Sequence, residues 1–173
     1  MTSPAFSTGR LDAEPLALPT HEEELAALHA DPRVMATMGG STATPEESRA
    51  WIERNLGHGE EPGLGIFVFR ERETGAFVGR GAIRRIEIGG GEEVEVGYAV
   101  AAEHWGRGLA TEMAEGLVAH AEGHGLHGLV AYTEPTNARS RRVLDKVGFR
   151  YERDVEHHGR PQVLYRRERA ASA

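Results

Sequence analysis

The chain has 173 residues, 39% hydrophobic and 27% charged, a composition that suits one domain around a single core. It contains no cysteine and carries a net charge of −7. The first excludes disulfides, thiolate metal sites and a cysteine nucleophile. The second argues against non-specific nucleic-acid binding, which depends on neutralising phosphates. No apolar run approaches the roughly 18 residues of a membrane span, and residues 1–6 lack the basic and apolar regions of a secretory signal. A cytoplasmic protein with neither membrane nor nucleic acid as partner is expected.

The pattern starts with a strand over Arg10–Leu18, which Pro15 places at or near a sheet edge. Thr20 with Glu23 three residues on reads as a capping box for a first helix, which ends near Asp31-Pro32. Thr44-Pro45-Glu46-Glu47 repeats the signature for a second helix, with Trp51, Ile52 and Leu56 on its buried side. Gly65–Arg70 and Ala76–Ile88 are the next strands. Gly89-Gly90-Gly91 forms a hairpin tip, and Glu92–Val100 is a fourth strand. There Glu93, Glu95 and Gly97 share one face, and Val94, Val96, Tyr98 and Val100 the other. A helix over Gly106–Gly123, a short buried strand over Leu129–Tyr132, a helix over Asn137–Val147 stopped by Gly148, and two terminal strands complete the order. Without repeats or long linkers, this is one mixed α/β (α+β) domain over residues 8–168, with 1–7 and 169–173 as flexible termini.

Two segments carry chemistry. In Glu95-Val-Gly-Tyr-Ala-Val-Ala-Ala-Glu-His-Trp105-Gly-Arg-Gly-Leu-Ala-Thr111, a strand runs through a glycine-spaced turn into a helix. Small residues at Gly106, Gly108 and Ala110 let backbone amides approach a ligand. The first helical turn, Leu109 and Thr111 included, offers unpaired N–H donors at the positive end of the helix dipole. A pyrophosphate suits that position, and Arg107 can add a charged contact. A tight strand-to-helix connection without a ligand explains the same letters. The second segment, Thr136-Asn137-Ala-Arg-Ser140-Arg-Arg-Val-Leu144-Asp-Lys-Val-Gly148-Phe149, reads locally as a helix with an asparagine cap and a glycine stop.

Together and in this order, the two segments resemble the acetyl-CoA site of GNAT acetyltransferases, in wording closest to the RimJ/RimL-type branch. Thr8-Gly9-Arg10-Leu11, Asp31-Pro32-Arg33-Val34-Met35 and Phe77-Val78-Gly79 agree. The resemblance implies a mostly antiparallel sheet of six to seven strands with about four helices, splayed between the fourth and fifth strands. It implies an acetyl-CoA-dependent N-acetyltransferase acting by direct transfer to a primary amine, either a protein or peptide N-terminus or a small molecule. A catalytically silent acyl-CoA-binding sensor is the alternative.

By the resemblance, Val100, Trp105, Gly106, Arg107, Gly108, Leu109, Ala110, Thr111, Asn137 and Ser140 bind the cofactor. Trp105 stands where the family often has glutamine or arginine. Leu144 stands where many relatives use a tyrosine on the leaving thiolate, so Ser140 takes that role. Glu95 is the expected base, with Glu93 on the same face as its rival, and Tyr98 is assigned to the core. No metal is expected, although His120, His124 and His127 lie near one another in sequence. His157 and His158 fall at the acceptor rim or the surface. Carboxylates at Glu22, Glu23, Glu24, Glu46 and Glu47 would suit a cationic acceptor if they lined the site. Relatives of this type often pair, so the resemblance extends to a homodimer.

Overall fold

The computed structural model describes residues 3–168. Eight strands form one sheet: β1 (Phe6–Ser7), β2 (Leu11–Pro15), β3 (Gly65–Glu71), β4 (Phe77–Ile88), β5 (Gly91–Val100), β6 (Leu129–Thr133), β7 (Arg150–His157) and β8 (Arg160–Arg167). Their order is β1-β2-β3-β4-β5-β6-β8-β7. Every neighbouring pair is antiparallel except β5 and β6, which run parallel and meet at one register pair, Glu95 with Val130. This is the splay expected between the fourth and fifth strands, displaced by one in number because β1 precedes them.

Phe6 explains the extra strand. Its ring packs edge-on against Phe67 at 5.1 Å and stacks on His120 at 4.6 Å. Residues 6–7 are therefore built into the sheet rather than part of a loose terminus; 1–2 and 169–173 lie outside the described residues. β2 ends at Pro15, so the expected strand to Leu18 is too long.

Five α-helices flank the sheet: α1 (Glu22–Ala30), α2 (Pro32–Met35), α3 (Pro45–Asn55), α4 (Leu109–Gly123) and α5 (Ala138–Lys146). α4 and α5 cover one face, where Leu109, Met113, Leu117, Val143 and Leu144 join Phe69, Ile83 and Val96 in the main core. α1 and α3 cover the other, where Leu25, Leu28 and Ile52 pack on Val68 and Ala99. Among the described residues no helix is long and apolar enough to cross a membrane.

The two capping signatures fare differently. At α3 the box forms: Thr44 Oγ1 accepts the Glu47 amide at 3.2 Å, and Glu47 accepts the Thr44 amide at 2.8 Å. At α1 it does not. The N-cap is His21, with no side-chain cap. The His21 ring is fully buried: Nδ1 accepts the Ala17 amide at 3.1 Å, and Nε2 donates to Glu14 at 2.9 Å. Burial of that ring moves the helix start past Thr20. Leu56, expected on the buried side of α3, is 41% exposed because the chain passes there into a short 3-10 turn, Leu56–Glu60. α5 stops as expected: the Gly148 and Phe149 amides close onto the Asp145 and Leu144 carbonyls, and Leu144 and Phe149 are buried together.

Candidate active site

A cavity of about 1150 Å³ runs through the opening between β5 and β6 and reaches both faces of the sheet. On the α4/α5 side it is lined by Tyr98, Val100, Trp105, Ala110, Asn137 and Ser140. On the α1/α3 side Glu95, Arg80, Arg84, Trp51 and His157 line it. Glu95 and Ser140 thus contribute to one cavity from opposite faces of the sheet. Only a gap between strands allows that.

The gap also exposes backbone. The Ala101 amide donates to the Val78 carbonyl at 2.9 Å. By the alternation of an antiparallel ladder, the amide and carbonyl groups of Tyr98 and Val100 then face away from β4, into the opening. Trp105 occupies one of them, its indole N–H donating to the Val100 carbonyl at 2.9 Å. The Trp105 side chain therefore props the end of β5, a role the glutamine-or-arginine comparison does not suggest. Arg139 lies 4.8 Å over the Trp105 ring and lines the cavity.

Of the glycine-spaced turn and first helical residues, Trp105 and Ala110 line the cavity, and Gly106, Gly108, Leu109 and Thr111 lie outside its lining. Gly106 and Gly108 take φ of 77° and 75°, a left-handed conformation that side-chain-bearing residues rarely adopt. Around Gly106 a Cβ would meet nothing within 4 Å. The first helical bond of the turn runs from the Glu112 amide to the Gly108 carbonyl, and no side chain caps the helix. The Leu109, Ala110 and Thr111 amides are left without intrahelical acceptors at the positive end of a four-turn helix. The Leu109 side chain is core, so only its amide can serve. The Arg107 side chain, 44% exposed, contacts Glu71 and His104 and, like Gly106 and Gly108, lies outside the cavity lining. The nearby Glu71 carboxylate satisfies it locally.

Asn137 caps α5, Oδ1 accepting the Ser140 amide at 3.1 Å. Ser140 Oγ lies 3.2 Å from Tyr98 Oη. Tyr98, assigned to the core by its face of the strand, packs against the core with its ring yet brings its hydroxyl to the cavity. Burial pushes its phenol up, so it stays protonated and able to donate. On the other face Glu95 is 6% exposed and accepts from Arg84 Nε at 2.7 Å through Oε2. Glu93 shares the strand face but not the site: it binds Arg166 at 2.6 and 3.0 Å, outside the cavity.

Sequence reasoning missed Arg80, Arg84 and Tyr132, all lining the cavity. Burial first, then the Glu95 charge, pushes the Tyr132 phenol up to about 12. Arg80, Ala82 and Arg84 alternate along β4 opposite Ala99, Gly97 and Glu95. That charged alternation in a central strand was the available signal. Of the acidic residues proposed to line an acceptor site, only Glu47 reaches it. Glu22 and Glu24 instead bind Arg49 and Arg70. His157 and His158 do line the cavity. His120 sits between Phe6 and His124 in a packed stack.

The sequence profile of the acetyltransferase (GNAT) domain matches residues 10–150. The chain belongs to this family, and is an acyltransferase by that membership. The uncharacterized protein YkkB of Bacillus subtilis (strain 168) is 28% identical over 138 residues, 79% of this chain and 80% of YkkB. The acetyltransferase of Agrobacterium tumefaciens str. C58 superposes with a TM-score of 0.82 at 26% identity, covering 98% of this chain and 96% of that one. Mycobacterium smegmatis RimJ, solved in complex with CoA-disulfide, shares the fold with a TM-score of 0.75 at 22% identity, over 92% of this chain and 82% of RimJ.

Proposed function

We propose that this protein is an N-acetyltransferase of RimJ/RimL-like type, moving an acetyl group from acetyl-CoA to a primary amine within a ternary complex. The observation that carries this reading is the gap between β5 and β6. It joins the uncapped start of α4 on one face to the Glu95 carboxylate on the other.

The residues fit the donor. The free amides of Leu109–Thr111, beside open space at Gly106, suit a diphosphate. The outward backbone groups of Tyr98 and Val100 suit an amide-bearing arm that pairs like an added strand. Bound there, acetyl-CoA supplies an acetyl group already activated as a thioester. Asn137 and Arg139 border its path.

Glu95 has Oε2 held by Arg84, and Oε1 lies on the Gly97 side. It takes the proton that an ammonium must lose before attack. Ser140 Oγ passes a proton to the departing sulfur and takes one from Tyr98 Oη, which regains it from water in the cavity. The Val100 amide, turned away from β4, would donate to the thioester carbonyl as charge develops on it. The acceptor is a protein or peptide N-terminus or a small amine.

A thiol-release assay with acetyl-CoA over a panel of peptides and amines, paired with calorimetry for CoA, tests the reading. Heat of CoA binding together with amine-dependent thiol release supports it. CoA binding without turnover on any amine points to a silent sensor. Absence of both binding and thermal protection overturns the site altogether.

A further inference from the structure

Arg80, in the middle of β4, is 8% exposed. Its Nε donates to His29 Nε2 at 3.2 Å, its guanidinium lies 4.3 Å from the Trp51 ring centre, and Nη2 approaches Met38 Sδ at 3.9 Å. None of these partners is an anion. His29 is neutral: its Nδ1 bonds Ser48 Oγ at 2.8 Å, and burial, with the Arg80 charge second, pushes its pKa down to about 4. Arg80 is itself pushed down to about 10 by burial and by Arg84, which leaves it cationic at neutral pH.

Of the other arginines lining the cavity, Arg84 binds Glu95 and Arg160 binds Glu134, while Arg54 and Arg139 are exposed to water. Among the described residues no carboxylate lies within ion-pair distance of Arg80. A buried charge without a counter-ion is costly. Here it is held in place by a ring on one side and an imidazole on the other, with the cavity in front.

We propose that Arg80 is the anion-binding group of the acceptor subsite, and that the acceptor is a small amine carrying a carboxylate. This rests on the acetyltransferase reading above and names its substrate class. A monoanion neutralises the one buried arginine of the cavity that lacks a carboxylate partner, whereas a phosphate dianion would bring surplus negative charge beside the buried Glu95. The two terminal nitrogens of a guanidinium match the fork of a carboxylate. Between Arg80 and the Arg84–Glu95 pair, the floor consists of Ala82, Gly97 and Ala99, small residues that leave room for the body of a ligand. Such an acceptor would present its ammonium to Glu95 and its carboxylate to Arg80. The arrangement reverses the expectation of an acceptor chosen for positive charge alone.

The test is acetyl transfer by the full chain to matched amines: amino acids, their primary amides, the corresponding decarboxylated amines and aminoalkyl phosphonates. The carboxylates are expected to exceed their amides and decarboxylated counterparts in kcat/KM by about 10- to 100-fold, the range of a charge-assisted hydrogen bond. Arg80→Gln should erase that preference while CoA affinity, read by calorimetry, stays unchanged; Arg80→Lys should retain part of it. The comparison on the unsubstituted protein stands even if Arg80→Gln fails to fold. Equal or better turnover of the amides and decarboxylated amines overturns the proposal and leaves the acetyltransferase reading intact, as does a preference for phosphonates. An Arg80→Gln protein that folds and keeps the carboxylate preference also overturns it. No turnover of any amine, with CoA bound, overturns both.

Discussion

Tyr98 Oη and Ser140 Oγ meet at 3.2 Å across the space between β5 and α5. The contact joins a strand residue whose ring is packed into the core to the first turn of a helix set by the Asn137 cap. It gives a serine, a poor proton donor by itself, a protonated phenol behind it. Ser140→Ala should lower kcat by about 100-fold, the lower part of the range for a lost proton donor. Tyr98→Phe should lower it by about 10-fold. The double variant should be little worse than Ser140→Ala, because the two hydroxyls act in series. Single-turnover kinetics with calorimetric CoA affinities is the measurement; an additive double variant would separate the two roles.

Glu95 and Glu93 share a strand face and differ in surroundings. Glu95→Gln should reduce turnover by about 100-fold with CoA affinity nearly unchanged. It should also cost about 2 kcal/mol of stability, since Arg84 loses a charge-assisted bond. Glu93→Gln removes only the contacts to Arg166, which are part-exposed and outside the cavity. Its expected effect is about 1 kcal/mol on stability and none on turnover. Steady-state kinetics and urea denaturation of both variants check this pair of outcomes.

Gly79 pairs with Val100 in the β4–β5 ladder, and a Cβ there would fall well inside contact with the Ala99 carbonyl oxygen. Backbone cannot yield as a side-chain tip can. Gly79→Ala should therefore destabilise by about 3 kcal/mol, near the upper end of ordinary substitutions. Gly59, where a Cβ meets nothing within 4 Å, is the control, and Gly59→Ala should stay within about 0.5 kcal/mol. The midpoints of urea denaturation report both.

His29 is buried with its pKa pushed down to about 4 from an ordinary value of 6.5. Between those limits the unfolded chain binds a proton at this site that the folded chain refuses. Stability is then highest above pH 6.5, falls as the pH drops, and is fully reduced below pH 4. The loss attributable to His29 is roughly 3 kcal/mol at its greatest. His29→Gln, which can still accept from Arg80, should flatten that part of the curve. Denaturation midpoints from pH 7.5 to 4 for both proteins provide the measurement; parallel curves would contradict the assignment.

Much of the architecture was legible because its signals are local. The Gly89-Gly90 tip, the Thr44 box, the Gly148 stop and the alternation along Glu92–Val100 each depend on a few neighbouring residues. The limits show where locality ends. Thr20 with Glu23 has the same spacing as Thr44 with Glu47, yet forms no box, because His21 is drawn inward to Glu14 on a different element. Arg107 pairs with Glu71, 36 residues away, a contact that no neighbouring residue announces. Tyr98 lay on the face of β5 turned to the core, and only α5 packing above it brought Ser140 to its hydroxyl.

The succession of elements along the chain and the glycine-spaced helix start are thus written in short-range chemistry: turn residues, caps and periodicity act over one or two turns of chain. Which charges are paired and which are left alone is settled by packing. Arg80 and Arg84 are the same residue type four positions apart on one strand, and nothing nearby in sequence distinguishes them. Arg84 lies opposite Glu95 and Arg80 lies between an imidazole and an indole. The energy of a buried charge depends on what surrounds it in space, and those surroundings exist only once α1, α3 and β5 have come together around β4.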